Sequence, residues 1–385
     1  MKQYLLNIKD SFKLKNYINY IAVIVVLVLF STMYNVGALN RSTPTLLNQI
    51  GYYVILAVSL NLVVGFLGEL SLGHAGFMCV GAYSATYIAN ILLGCGMGNV
   101  LAIAISVLVG GAVAAVFGFV VGLPALRLRG DYLAIVTLAF GEIVRNICRN
   151  IPAFGGAQGL TSEAYMANIY NKKVPLFFIT FIILLVMLVI VQNLVKSRHG
   201  RSITAIRDNE IAAKAMGVNV TYYKIIVFVI SAFFAGAAGA IYGASVSPVE
   251  YSKFDYNYSI EILVMVVLGG MGSISGSMIA ATIITILNFY LNSYLGSMAY
   301  VKTLVYALIL ILMVIYKNAP ALRGFREKYN LRALINKIRK HDPSKEINDS
   351  GRWDVVPTKI SMNEVLSTDI IVKESRSEKG DKEVK

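Results

Sequence analysis

The residues with the most obvious chemistry in this chain are three histidines, His74, His199 and His341, and three cysteines, Cys79, Cys95 and Cys148. Their spacing supports little of it. No HExxH or GxSxG pattern occurs, and the cysteines have neither metal-ligand spacing nor a disulfide framework; small core residues describe them better. A GxxxxGK[ST] phosphate loop is absent too, because the glycine cluster near Gly269 has no lysine in place, so the chain has no such route to ATP hydrolysis. The groups left to act are charges in apolar surroundings. Glu69 and His74 stand among the glycines of GFLGELSLGHAGFMCVG (65–81), and Asp131, Glu142 and Arg145 lie in RGDYLAIVTLAFGEIVRN. Ionisable groups near a membrane are costly and are functional candidates for that reason. The plainer readings are a water-exposed turn for the first set and, for Glu142 and Arg145, an internal ion pair positioning two helices, since residues three apart share a helical face.

The elements that position these groups are membrane spans. Hydrophobic residues are 57% of the chain, charged residues 15%, and mean hydropathy is +0.66, which points to an all-α polytopic membrane protein. A crossing takes about 20 apolar residues as helix. Windows of that kind fall at 18–38, 47–67, 74–95, 99–123, 132–147, 174–195, 225–246, 274–295 and 298–316, whereas 260–272 is too short to cross alone. The apolar run at 18–38 is long and lacks a cleavage site, so it reads as a retained anchor. Lys and Arg cluster in the leader 1–17, in 197–224 and after Tyr316, which places all three, and both termini, on the cytoplasmic side. Eight or ten crossings satisfy that parity, depending on whether 260–272 and 274–295 form a re-entrant pair or two spans. In either version Arg145 and Arg149 fall on the outer side. The net charge of +14 is then a topology signal spread over membrane flanks, with little support for nucleic-acid binding.

Within the spans, Gly110, Ala114, Gly118 and Gly122 recur every four residues. So do Ala232, Gly236, Ala240 and Ala244, and Gly272, Gly276 and Ala280. Such stripes let helix backbones approach closely. The stretch LGGMGSISG (268–276) differs: it suggests a helix broken within the membrane, and irregular backbone at that depth must be buried by protein or line water.

The segment SRHGRSITAIRDNEIAAKAMGVNVTYYK (197–224) is polar between two apolar spans. Asp208 is placed to cap a helix of about two turns over 209–216, with Asn209 and Glu210 in its first turn, Lys214 in its last and Gly217 as its stop. Helices below roughly 12 residues are marginal alone, so this one needs support from its own membrane domain or from a partner. A connecting helix on the membrane surface fits the same residues.

AIRDNEIAAKAMGVN (205–219) resembles the EAA-type coupling loop of ABC importer permeases, in which a short helix docks in a groove of the ATPase subunit. Ile211 stands where the general motif has glutamate, a variant common in branched-chain amino acid permeases. AVSLNLVVGFLGELSLGHAGF (57–77), LRLRGDYLAIVTLAFGE (126–142) and VLGGMGSISG (267–276) are similar to the LivM-type subunit of that family, over roughly residues 46–317. The resemblance implies a subunit of a bacterial cytoplasmic-membrane importer for leucine, isoleucine or valine, with eight to ten transmembrane helices and a cytoplasmic coupling helix in a permease domain at 18–317. Implied partners are a LivH-like permease, two LivG/LivF-like ATPases carrying ATP and magnesium, an extracytoplasmic binding protein and membrane lipid; this chain itself would bind no cofactor. Arg207, Asp208, Asn209, Glu210, Ala212, Ala213, Met216 and Gly217 are the candidate ATPase-coupling residues. Asn61, Glu69, His74, Gly269, Gly270, Gly272, Ser273 and Gly276 are the candidate pathway residues. Related permeases for urea, short amides or another amino acid share much of the pattern. An ion-coupled transporter is the other class, against which Glu69, Glu142 and Glu261 count by lying near span ends. Residues 318–341 read as a basic amphipathic helix on the inner membrane face, and 342–385 as a disordered tail.

Overall fold

The computed structural model describes residues 18–35, 42–126, 130–164 and 176–295, with 128, 304, 307, 308 and 311. The leader 1–17, nearly all of the span at 298–316, the basic helix at 318–341 and the tail at 342–385 lie outside the described residues. The described part is helical, from α1 (Ile18–Asn35), α2 (Ser42–Asn61) and its π-helical continuation Leu62–Leu67, through α3 (His74–Gly94), α4 (Asn99–Ala125) and α5 (Asp131–Asn150). There follow α6 (Leu176–Lys196), α7 (Arg198–Asp208), α8 (Glu210–Ala215), α9 (Val220–Gly243), α10 (Tyr256–Gly269) and α11 (Ile274–Leu295). Among the described residues six helices are long and apolar enough to cross a membrane: Thr43–Leu67, His74–Gly94, Asn99–Ala125, Leu176–Lys196, Val220–Gly243 and Ile274–Tyr294.

At the centre α9 packs on α3 and α4 through two of the small-residue stripes. A methyl on Gly236 would collide with Ala114 and the Gly110 carbonyl, one on Gly118 with Ala232, and one on Gly81 with the Gly236 backbone. The spacing is therefore used for packing, because lipid offers no hydrophobic penalty to drive helices together and van der Waals fit must do so. The third stripe behaves differently, since Gly272 lies in a turn before α11 rather than on it.

The structure gives one of these expectations a geometry and corrects another. Residues 268–276 do interrupt the helical run, between Gly269 and Ile274. They close a hairpin between α10 and α11, with Gly269 against the Gly276 backbone, and the turn packs on Gly65 and Arg207 at the end of the bundle that carries α7 and α8. At 14 residues α10 is about 21 Å long, shorter than the six helices able to cross, and its entry loop is sunk into the bundle: Val249 and Phe254 are buried, and the Val249 carbonyl accepts from the Tyr83 hydroxyl at 3.0 Å. The window at 132–147 is the second case. It lies in α5, which is amphipathic, carries Asp131, Glu142, Arg145 and Arg149, and is not among the six long apolar helices. Its Thr137 hydroxyl accepts from the Leu72 amide at 3.0 Å, so α5 begins about 9 Å before α3 does. Arg145 and Arg149 consequently lie beside α3 and short of its far end, Arg145 half-buried and Arg149 exposed.

Candidate functional site

The polar segment folds by local rules. Ser197 caps α7, accepting from the Gly200 amide at 3.3 Å, and Ile203 and Ile206 bury one face of that helix. Asp208 is the last residue of α7 and pairs with Arg207 at 3.1 Å, so it does not cap α8. Asn209 does, through its side-chain oxygen and the Ala212 amide at 3.0 Å. The difference arises because Asn209 takes extended backbone, with φ −159°, while Asp208 is still helical. At the other end the Gly217 amide donates to the Lys214 carbonyl and the Val218 amide to the Ala213 carbonyl, both at 3.0 Å, around Gly217 at φ +82°. This is a Schellman stop, which requires the left-handed conformation that glycine adopts freely. On α8 Ala213 is buried, whereas Ile211 and, just past its end, Met216 are 73% and 84% exposed.

Glu210 faces the bundle instead. Its carboxylate reaches Lys214 at 3.0 Å and Lys224 at 3.3 Å. Lys224, 4% exposed in its side chain, also donates to Glu69, whose side chain is 13% exposed. One ammonium thus joins α8, the first turns of α9 and the segment between α2 and α3. Burial raises the Glu210 carboxyl pKa, but Lys214 and Lys224 outweigh it and the net shift is downward. Arg207 makes a second junction: its Nη1 donates to the Gly65 carbonyl at 3.0 Å. That carbonyl belongs to the last turn of the π-helical stretch, where backbone acceptors lack an intrahelical donor. Gly68, at φ +82° and without a side chain, leaves room for the Arg207 stem.

The pathway candidates separate into a clamp and a staple. Asn61, fully buried, accepts from the Gly272 amide at 2.9 Å and donates to the Ser273 carbonyl at 3.1 Å. It fixes the α10–α11 turn formed by Gly269, Gly270, Gly272, Ser273 and Gly276 onto α2. His74 is buried, its Nε2 2.8 Å from the Ser59 hydroxyl. Since that hydroxyl donates to the Leu56 carbonyl, the ring nitrogen is the donor. Neither Glu69 nor His74 sits in a water-exposed turn. Glu142 and Arg145 pair within α5 at 2.8 Å, so they do not tie two helices together. Glu142 lies mid-helix, as does Glu261, which accepts from Asn288 at 3.1 Å. Sequence reasoning counts Lys224 only as a topology charge. Its signal is present, a lysine near the start of an apolar helix, but its partners lie 14 and 155 residues away.

The family described as "Branched-chain amino acid transport system / permease component" matches residues 42–314. The chain is 34% identical over 304 residues to the high-affinity branched-chain amino acid transport system permease protein LivM of Salmonella typhimurium, covering 72% of this chain and 69% of that protein. It is 29% identical to the ribose import permease protein RbsC of Escherichia coli over 77% of this chain and 92% of that one. The LivH permease protein of Salmonella typhimurium is 22% identical over 68% of this chain and 89% of its own length. No solved structure gives a significant match. A bundle of long apolar helices bearing this polar junction, and a match over most of its length, place the chain in one group: it belongs to the family of branched-chain amino acid transport permease components and is a multi-pass transport subunit.

Proposed function

We propose that the chain imports leucine, isoleucine or valine as one of two permease subunits, beside a LivH-like partner, in an importer driven by two separate ABC ATPases. ATP and its magnesium reside on those ATPases, and an extracytoplasmic binding protein delivers the substrate. The observation that carries this reading is the two-sided α8: Ile211 and Met216 are presented outward while Glu210 is anchored inward on Lys224. An apolar side chain exposed at 84% beside a capped two-turn helix suits a groove on a partner protein. The basic residues of 197–224 favour a cytoplasmic location for this end of the bundle, where ATPases would meet it.

In the mechanism, closure of the ATPases on ATP displaces α8. The displacement passes through Glu210 and Lys224 to α9 and the Glu69 segment, and through Arg207 to the end of α2. Because Asn61 clamps the α10–α11 turn to α2, that hairpin moves with it, and access switches from outside to inside. Glu69, His74 and the glycine turn then serve as transmission elements at the pathway's inner end. The ribose permease among the relatives argues that the scaffold alone does not select the substrate, which leaves the binding protein a large share of selectivity.

The test replaces Ile211 and Met216 together by Asp in the assembled importer. Loss of ATPase co-purification and of leucine uptake, with the permease still in the membrane, is expected. Retained co-purification would remove the docking assignment, and uptake of ribose but not leucine by the wild type would remove the substrate.

A further inference from the structure

Helix α5 carries charges that the junction does not use. Its level in the bundle is set by packing on α3: Gly141 abuts Gly76, and the Cys148 sulfur lies 3.7 Å from that of Cys79. Residues 142–149 therefore run beside α3, within the length of a helix that is long and apolar enough to cross a bilayer. Glu142, Arg145 and Arg149, at i, i+3 and i+7, share one face. Arg145 spends Nη2 on Glu142 at 2.8 Å, and both side chains remain 27% exposed. Its Nε is buried without an acceptor among the described residues. The Arg149 guanidinium stands 5.3 Å from the Tyr251 ring centre. Beyond it the Phe154 ring packs on Tyr83 and Tyr87, with centroids 5.3 and 6.1 Å away.

Charged side chains at such depth face protein or a water-filled path, not lipid. A neighbouring flank of the same helix is lipid-suited, with Ile143 and Ile147 exposed, while Ile135 lies two turns before Glu142 on the charged face. A carboxylate and two guanidiniums with unspent donors, next to aromatic rings, match an α-amino acid zwitterion: guanidinium forks bind carboxylate, while a carboxylate and a tyrosine face bind ammonium. We propose that Glu142, Arg145 and Arg149 form a polar station in the translocation path for the substrate backbone, with the Phe154 and Tyr87 rings against its apolar side chain. The station rests on the amino-acid reading given under Proposed function.

The test uses the complete importer in proteoliposomes with its binding protein. In a Cys95→Ser parent, chosen because Cys79 and Cys148 are buried, Arg145→Cys and Arg149→Cys are exposed to a charged methanethiosulfonate reagent. Both are expected to react, to be slowed several-fold by leucine during turnover, and to contrast with an unreactive Ile143→Cys. Absence of reaction, or reaction indifferent to leucine, overturns the proposal. As a second measurement, Glu142→Gln and Arg149→Gln should each lower leucine uptake about tenfold or more while ATP hydrolysis continues; undiminished uptake in both also overturns it. A wild-type importer that does not take up leucine would instead refute the substrate reading.

Discussion

Lys224 shows how one side chain can tie three segments together. Its ammonium is nearly excluded from solvent and is balanced by Glu69 and Glu210. Breaking a buried pair leaves an uncompensated charge, which costs about 3–5 kcal/mol. Lys224→Met should therefore lower the thermal unfolding midpoint of the purified subunit sharply, and Lys224→Met with Glu69→Gln should recover much of the loss; equal midpoints for single and double variants would contradict the pairing. Glu210 gives a pH prediction. A carboxyl whose pKa is lowered in the folded state contributes stability above its unfolded value, and that stability is lost as pH falls through the lowered one. Amide exchange across 210–217 should therefore be steady in protection from neutral pH down to about the ordinary carboxylate value of 4.5, and lose protection only below it. Glu210→Gln should show the unprotected pattern already at neutral pH.

Among the elements, α8 depends on its ends. A Cβ at Gly217 would meet no atom within 4 Å, so the cost of a side chain there is backbone strain alone, about 1–2 kcal/mol. Gly217→Val should reduce uptake without reducing the amount of protein in the membrane, and Gly217→Asn should reduce it less. Central packing responds differently. A methyl at Gly81 runs into the Gly236 backbone, whereas one at Gly94 meets open space. Gly81→Val should lower membrane yield and Gly94→Ala should not, read by quantitative immunoblot. The four-residue stripes disclosed which faces of α4 and α9 pack, because small residues at helical spacing have few other uses in lipid. The α10–α11 turn was legible as glycine-rich and irregular, but not its level, since a run of glycines carries no information on which end of the bundle it reaches.

For the whole molecule, apolar length and the placement of basic residues determined a polytopic helical protein with a polar connecting segment, because hydropathy is a local sum that needs no tertiary contact. The motif at 205–219 likewise named the candidate coupling residues, apart from the cap, where one residue of backbone conformation moved the role from Asp208 to Asn209. The level of α5 and the pairing of Glu69 with Lys224 were decided only by the folded bundle. Charges 155 residues apart meet because α2, α3 and α9 pack side by side, and a partner fixed by that packing leaves no periodicity in the chain that specifies it.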